Sequence, residues 1–435
     1  MNGDASIEEA GYDRRRLTQW LAGRAHGNGM PRRDLFRLSA GFALAAVPAR
    51  LGMPPVGRET ASAPPVPPVA KPIVKPLPPE LFTVFGSNAE MRWEAMRHRG
   101  LLVPVDRFFV RNHTSTPVID ANSWRLRLHG TGLRGAPTLD KAVEFSLEQL
   151  HQLPSASVVA AIECAGNGRG LFTSQQGQRV TGTAWRLGAI GVARWRGVRL
   201  STVLRHAGLS PTAVDVMAQG LDPEFVDAGI KLGHVRRPLP VAKAMHDVLL
   251  AYEMNGQPLP PDHGFPLRLV VPSWIGVSSI KWVGQIEVSA TPLMSPWNVQ
   301  FYRLFGPGYP TAGAPVTEQV VKSAFELAWD AQLPAGRTHV LHGRSWSGHG
   351  PVRHVEVSTD GGVTWRRAHP AGAHHHHRRH AWQRWHIPWH PTAAGRYTLR
   401  ARATDATGVT QPDRTPLNSL GYLFDAVVAH PVTIV

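Results

Sequence analysis

The feature that most constrains the fold is a strand-like segment that stops at the only cysteine of the chain. Residues 158–162 are apolar and partly β-branched, which is typical of a buried strand. Cys164 follows, and then three glycines within six residues, too many breakers for a strand to continue. We therefore place Cys164 at a strand end, facing a loop whose glycines let another group approach the backbone. A thiol beside the fixed charge of Arg169 can ionise and bind a soft metal.

Other interpretations of Cys164 stay open on these residues alone. A free cysteine is most often a small buried hydrophobe. A nucleophilic cysteine hydrolase needs a base within reach, and no known Cys/His signature surrounds this position. A closed zinc site would need several Cys or His at short spacing.

Length and charge limit the function classes. The chain has 435 residues, enough for two ordinary domains, and a formal net charge of +16 spread along its body. The electric field of this positive charge favours the binding of small anions or of an acidic partner protein. We see no basic helix, finger or aromatic RNA-binding motif, so we expect no nucleic-acid partner. A single cysteine excludes an intramolecular disulfide framework.

The N-terminal part has the order of an export signal. Arg32 and Arg33 precede a short apolar run at residues 38–47, followed by small residues. We predict a twin-arginine (Tat) signal region at residues 1–52 and an exported, periplasmic protein. The run is too short to span a bilayer, so we expect no stable membrane insertion. A solvated, proline-rich linker is predicted at residues 53–80.

The remainder of the chain divides into two parts with different sequence patterns. Residues 81–317 mix short strand-like and helix-like pieces, for example a strand at 267–271 and a helix at 200–207, without a GxGxxG or Walker sequence. Residues 318–435 show evenly spaced strands and turns, which predicts a β-sandwich of immunoglobulin type. The fold class is therefore α+β. The run from His374 to His377 is interpreted as a solvated loop.

Several segments together resemble the sulfite oxidase family of molybdenum enzymes. They are FFVRNH at 108–113, ECAGNGR at 163–169, GAIGVARWRGV at 188–198, and a block at 249–268 that runs on to Lys281 and Trp282. Residues 358–365 are similar to the dimerisation domain of that family. The resemblance implies a mixed α/β molybdopterin-binding domain, followed by an immunoglobulin-like dimerisation domain.

The resemblance also implies a cofactor, molybdenum-molybdopterin (Moco), with the Cys164 thiolate as the protein ligand of the metal. Thiolate is a soft ligand, and one protein ligand leaves positions open for chemistry. The pterin contacts that it implies are Phe109, Val110, Arg111, Asn112, His113, Asp222, His263, Arg268, Ser279, Ile280 and Lys281.

The catalytic pocket implied by the resemblance contains Arg111, Arg169, Tyr252 and Trp185. Guanidinium groups suit small sulfur oxyanions because they bind them through two hydrogen bonds. Two departures from the family pattern weaken the positive charge: Thr181 replaces a common lysine, and Gly168 replaces an arginine.

The implied activity is that of a molybdopterin-dependent sulfite oxidase or dehydrogenase. It would oxidise sulfite, or a related sulfur oxyanion, to sulfate by oxo transfer. No haem-attachment CxxCH is present, so we expect no haem in this chain and a separate electron acceptor such as a cytochrome c. A homodimer is expected by resemblance. The alternatives are a sulfane dehydrogenase, a sulfoxide reductase, and, from another class, an exported non-catalytic binding protein.

Overall fold

The computed structural model describes residues 26–27, 72–372 and 379–435. Of the predicted export region at residues 1–52, only the short strand His26–Gly27 is described, which pairs in parallel with Leu293–Met294. The first part of the predicted linker and the run from His374 to His377 lie outside the described residues. Within the described part, no helix is long and apolar enough to cross a membrane.

The sheet that contains the segment before Cys164, called here the cysteine sheet, is antiparallel throughout. Its strands, in order across the sheet, are Gln257–Pro258, Leu249–Met254, Ile190–Arg199 and Ser155–Glu163, with Arg268–Val270 paired beside Leu249–Met254. The predicted strand at 158–162 is confirmed as part of Ser155–Glu163. Gly191 allows Phe108 to pack on this sheet, because a Cβ there would lie 2.4 Å from the phenyl ring.

A second five-stranded sheet, called here the outer sheet, covers the other face of the cysteine sheet. Its strands, in order, are Arg236–Pro240, Asp215–Gly220, Val283–Ser289, Leu126–His129 and Val143–Phe145. The helix predicted at 200–207 is observed as Leu200–His206, and its Leu200, Val203 and Leu204 enter the core between the sheets. This spacing of three and four residues is the apolar stripe of an amphipathic helix.

Short elements complete the first domain. The other α-helices are Leu147–Gln152, Arg169–Gln176, Val241–His246 and Pro296–Val299. The 3-10 turns are Trp93–Met96, Val105–Arg107, Leu139–Lys141, Pro261–His263 and Gly276–Ser278. The small sheets are Phe82–Phe85 with Asn88–Met91 and Val110–Arg111, Phe225–Asp227 with Ile230–Gly233, and Arg303–Leu304 with Ala314–Pro315.

Two sheets form the second domain and enclose a core of their own. One sheet contains, in order, Lys322–Phe325, His339–Trp346, Gln383–Trp389 and His369–Ala371. The other contains Ala331–Leu333, His430–Ile434, Gly395–Asp405, Val352–Ser358 and Arg366–Arg367. The predicted β-sandwich and the α+β class are confirmed.

Besides the core inside the sandwich, one hydrophobic core contains side chains of both domains. Trp346 and Trp382 of the sandwich pack on Trp93 of the first domain, with ring centroids 6.0 and 5.7 Å apart. The backbone N–H of Ala161 also donates to the carbonyl of His380 at 2.8 Å. The strand that leads to Cys164 is therefore supported from the second domain.

The last residues of the proline-rich segment contact the first domain through their backbone, although Val74 and several neighbouring side chains are exposed. The backbone N–H groups of Val74 and Lys75 donate to the Asp262 carboxylate at 2.7 to 3.1 Å. Asn112 donates to the carbonyl of Pro72 at 2.9 Å. Proline content predicts extended backbone, but an extended chain can still dock when its free N–H groups find an acceptor.

Arg344 is a buried cation at the junction of the domains. Its Nε donates to Glu326 Oε1 at 2.7 Å, and its terminal nitrogens donate to the carbonyls of Met96, Arg99 and Leu101 at 3.3 to 3.4 Å. Burial lowers the pKa of Arg344 to about 10. Because the guanidinium is buried away from water, these acceptors stabilise its charge in place of solvent.

Arg344→Met should lower the free energy of unfolding by about 3–5 kcal/mol, because it leaves the buried Glu326 unpaired. The control is Arg396→Met, whose contact with Asp330 is 3.9 Å long and exposed, and which should change stability very little. Urea unfolding of the two variants measures the difference. Equal losses would contradict a stabilising role for the buried pair.

Candidate functional site

A tight turn after the strand Ser155–Glu163 carries Cys164. The N–H of Asn167 donates to the carbonyl of Cys164 at 2.9 Å, and Gly168 then begins the helix Arg169–Gln176. Gly168 has φ 94°, and a Cβ there would lie 2.9 Å from Phe424. An arginine at this position would be strained and crowded in this structure.

Cys164 lies on the wall of a cavity in the first domain rather than in the centre of the core. Its side chain is almost fully buried, and its backbone N–H donates to the carbonyl of Ala189 at 2.9 Å. The strand ladder therefore fixes the backbone of the cysteine, while its sulfur remains available to a group in the cavity.

Residues distant in the sequence line this cavity together with Cys164. Those that the sequence analysis predicted are Phe109, Arg111, Asn112, His113, Asp222, His263, Arg268, Ser279, Ile280 and Lys281. Val110, by contrast, is not part of the lining, because it alternates with its neighbours on the short strand Val110–Arg111 and is buried elsewhere.

The cavity wall carries buried positive charge. Burial lowers the pKa of Arg268 to about 9, and burial together with Arg268 holds the pKa of Lys281 well below its usual range. Arg268 donates to the carbonyls of His263 and Ser279, and Lys281 donates to Asn112 Oδ1. These basic groups donate to neutral oxygens, and an anion bound among them would favour their charged forms.

Two buried polar atoms on the wall have no hydrogen-bond partner among the residues that the structure describes. They are Oδ1 of Asp222, whose pKa burial raises to about 6, and Nε2 of His263. Native proteins rarely leave such atoms unpaired. They indicate a polar ligand that offers hydrogen bonds as well as negative charge.

Tyr302, which the sequence analysis missed, also lines the cavity. Its hydroxyl lies 3.4 Å from His113 Nε2, and burial raises its pKa. It adopts φ 57°, a left-handed conformation that is rare for a bulky residue and often marks a functional site. The only sequence signal was indirect, since Ser295, Pro296 and Asn298 predict the start of the short helix before it.

The prediction of Tyr252 as the pocket tyrosine is wrong. Along Leu249–Met254, the side chains of Leu249 and Ala251 face the core that contains Cys164, whereas Tyr252 faces the outer sheet. There its ring lies 4.0 Å from that of His151. Successive side chains of a strand point to opposite faces, and the sequence did not reveal which face is which.

Arg169 does not line the cavity itself but lies just behind it. Its guanidinium stacks on the ring of Tyr422 at 5.2 Å, and Tyr422 stacks on Tyr302. Its Nε and Nη1 donate to the carbonyls of Leu420 and Thr183 at 2.9 and 3.1 Å. Arg169 therefore acts on the cavity through its charge and through the two stacked rings.

The structure also corrects the prediction of Trp185 as a pocket wall. Trp185 is fully buried in the first core, edge-on to Phe85 at 5.4 Å, and is absent from the cavity lining. Its carbonyl accepts from the N–H of Gly170 at 2.8 Å. Trp185 thus supports the helix that carries Arg169 and does not reach the cavity.

Comparison with known proteins identifies both domains. A sequence model described as the oxidoreductase molybdopterin binding domain matches residues 113–297, and one described as the Mo-co oxidoreductase dimerisation domain matches residues 317–431. Mitochondrial sulfite oxidase of Rattus norvegicus is 37% identical over 72% of this chain, which spans 57% of the length of the rat protein. Sulfite oxidase of Gallus gallus is 36% identical over 75% of this chain and 71% of its own. The crystal structure of the sulfane dehydrogenase SoxCD from Paracoccus pantotrophus matches with a TM-score of 0.65 at 26% identity, over 81% of this chain and 84% of that one.

The cavity fits a molybdenum-pterin group. Cys164 offers one soft ligand, and Arg268 with Lys281 offers charge for the phosphate. The unpaired atoms of Asp222 and His263 offer an acceptor and a ring nitrogen to a polar heterocycle.

The buried cations predict that the metal-free protein binds inorganic phosphate. At pH 7 and equal ionic strength, phosphate in place of chloride should raise the free energy of unfolding by about 1–3 kcal/mol, since the anion binds only the folded chain. Arg268→Gln should abolish this gain, whereas Arg196→Gln, at an exposed pair with Glu253, should retain it. Urea unfolding measures the gain, and an undiminished gain in Arg268→Gln would contradict the assignment.

Proposed function

Because this chain belongs to the sulfite oxidase family of molybdopterin-dependent oxidoreductases, we propose that it oxidises sulfite, or a related sulfur oxyanion, to sulfate. The observation that carries the proposal is the position of Cys164, the only cysteine, on the wall of a cavity lined by buried cations. When bound, the molybdenum-pterin group supplies two-electron oxo transfer.

In this proposal, the residues of the chain bind the cofactor and the substrate and hold them in position. The Cys164 thiolate binds the metal, and Arg268 with Lys281 binds the pterin phosphate. Arg111, on the cavity wall, attracts the anionic substrate and holds it by charge-assisted hydrogen bonds.

Tyr302 acts as a neutral hydrogen-bond donor. Because burial raises its pKa, the hydroxyl keeps its proton at neutral pH and can donate to a substrate oxygen. Tyr422 and Arg169 hold the ring from behind. The stacked rings also exclude water from this side of the site.

A sulfane dehydrogenase or a sulfoxide reductase is the second candidate. Two nitrogens of Arg169 are already occupied by backbone carbonyls, which leaves less of its guanidinium for a dianion such as sulfite. The similarity to the sulfane dehydrogenase structure points in the same direction. A substrate of lower charge would need fewer free cations in the pocket.

We also propose a location and partners. Arg32 and Arg33 before the apolar run support twin-arginine export to the periplasm. The matched dimerisation domain supports a homodimer. An acceptor such as a cytochrome c would then receive the electrons outside the cytoplasm.

Metal analysis and a sulfite assay test the proposal. About one molybdenum per chain, with sulfite-dependent reduction of ferricyanide, is the expected result. Molybdenum without sulfite turnover would favour the second candidate. A folded protein purified from a molybdenum-replete host without any molybdenum would favour an exported binding protein.

Tyr302→Phe should lower kcat for sulfite about tenfold or more, because it removes one hydrogen-bond donor from the reacting anion. Tyr252→Phe is the matched control, and it should leave kcat and KM nearly unchanged because that ring lies in the other core. Steady-state kinetics at equal molybdenum content measures both. A large loss in Tyr252→Phe with none in Tyr302→Phe would reverse the assignment.

A further inference from the structure

The turn that carries Cys164 is bound by side chains of the second domain. Glu163, the last residue of the strand, and Asn167, the last residue of the turn, are both buried. Lys322 of the sandwich domain donates to Glu163 Oε1 at 2.8 Å and to the carbonyl of Asn167 at 2.9 Å. One lysine thus binds both ends of the segment around the cysteine.

Trp346 completes the arrangement from the neighbouring strand of the sandwich. Lys322 and Trp346 face each other in the register of their two strands. The indole Nε1 of Trp346 donates to Glu163 Oε2 at 2.9 Å, so each carboxylate oxygen receives a donor from this cross-strand pair.

Asn167 joins this network to the cysteine sheet. Its side-chain nitrogen donates to Glu163 Oε1 at 2.9 Å, and its side-chain oxygen accepts from the N–H of Ala189 at 3.0 Å. Its backbone N–H donates to the carbonyl of Cys164. The backbone on both sides of the cysteine is therefore fixed by bonds that end in the second domain.

We propose that Lys322 and Trp346 are positioning residues of the metal site, which hold Glu163 and Asn167 and thereby fix the direction of the Cys164 sulfur. The inference rests on the proposed function for the role of Cys164 as metal ligand. Groups that orient a metal ligand typically change metal affinity or activity 10- to 100-fold when they are removed. A buried ion pair also costs desolvation free energy, which is consistent with a role in specifying one arrangement.

The site is therefore composite. The first domain supplies the cavity and the ligand, and the sandwich domain supplies the charge that balances Glu163 and the donors that fix the turn. The sandwich would act on the metal site within its own chain, in addition to any role in dimerisation.

Lys322→Met in the full-length, molybdenum-loaded protein tests the inference. It should shift the thiolate-to-metal charge-transfer absorption and lower kcat about tenfold, with KM for sulfite within about twofold, because the substrate cations are untouched. It should also release molybdenum faster during gel filtration. The double variant Glu163→Gln with Lys322→Met leaves no unpaired charge, and it should restore the absorption band and part of kcat.

Arg344→Met is the matched control, since it breaks another buried ion pair at the same domain junction. It should lower the urea midpoint about as much as Lys322→Met does, with a wild-type absorption band and kcat. Identical changes in the two variants would overturn the inference in favour of a general loss of stability. A wild-type band and kcat in loaded Lys322→Met would overturn it as well.

Trp346→Phe keeps an aromatic ring and removes one donor, so it covers the case in which Lys322→Met does not fold. It should shift the absorption band in the same direction by a smaller amount, and an unchanged band would contradict the inference. Failure of the proposed function is recognised separately, because the wild-type protein itself would then lack molybdenum or sulfite turnover.

Discussion

The buried ion pair between Glu163 and Lys322 is the interaction on which the rest of this structure depends. It joins Glu163, at the end of the strand that leads to Cys164, to the first strand of the sandwich, 159 residues later in the chain. Neither charge could be buried alone without a large cost. The pair therefore requires that both domains fold and dock before the turn that carries the cysteine is complete. The shared core around Trp93 and Trp346 supplies the apolar contact that makes this docking stable.

The wall of the cavity contains buried basic side chains that, unlike Lys322, form no ion pair with a carboxylate at hydrogen-bond distance among the described residues. Arg268 and Lys281 donate to neutral oxygens, and burial is the main reason that their pKa values are lowered. The charges of Asp262 and Asp222 offset only part of this effect on Lys281. The Asp262 carboxylate accepts from Thr116 and from the docked backbone of Val74 and Lys75. The chain thus keeps positive charge in a desolvated place, where it attracts an anionic group far more strongly than at the surface.

Part of this arrangement could be predicted from the sequence. The strand before Cys164 and the glycines after it set the place of the cysteine, because breakers end a strand wherever it lies. The choice of Tyr252 came from the family resemblance alone, and the structure places this side chain in the core on the other face of its strand. Tyr302 could not be found, because its position depends on a short helix and on stacking with Tyr422 from the far end of the chain. Lys322 gave no signal either, since a lysine at the start of a strand is ordinarily solvated.

The most direct test of the account is a comparison of wild type with Cys164→Ser in fully loaded protein. Molybdenum content, charge-transfer absorption and sulfite turnover are measured on the same samples. The account predicts that the serine variant loses the charge-transfer band and its turnover, because a hydroxyl is a hard ligand that stays protonated near neutral pH. A variant that keeps its molybdenum, its band and its turnover would contradict the central claim that this thiolate holds the metal.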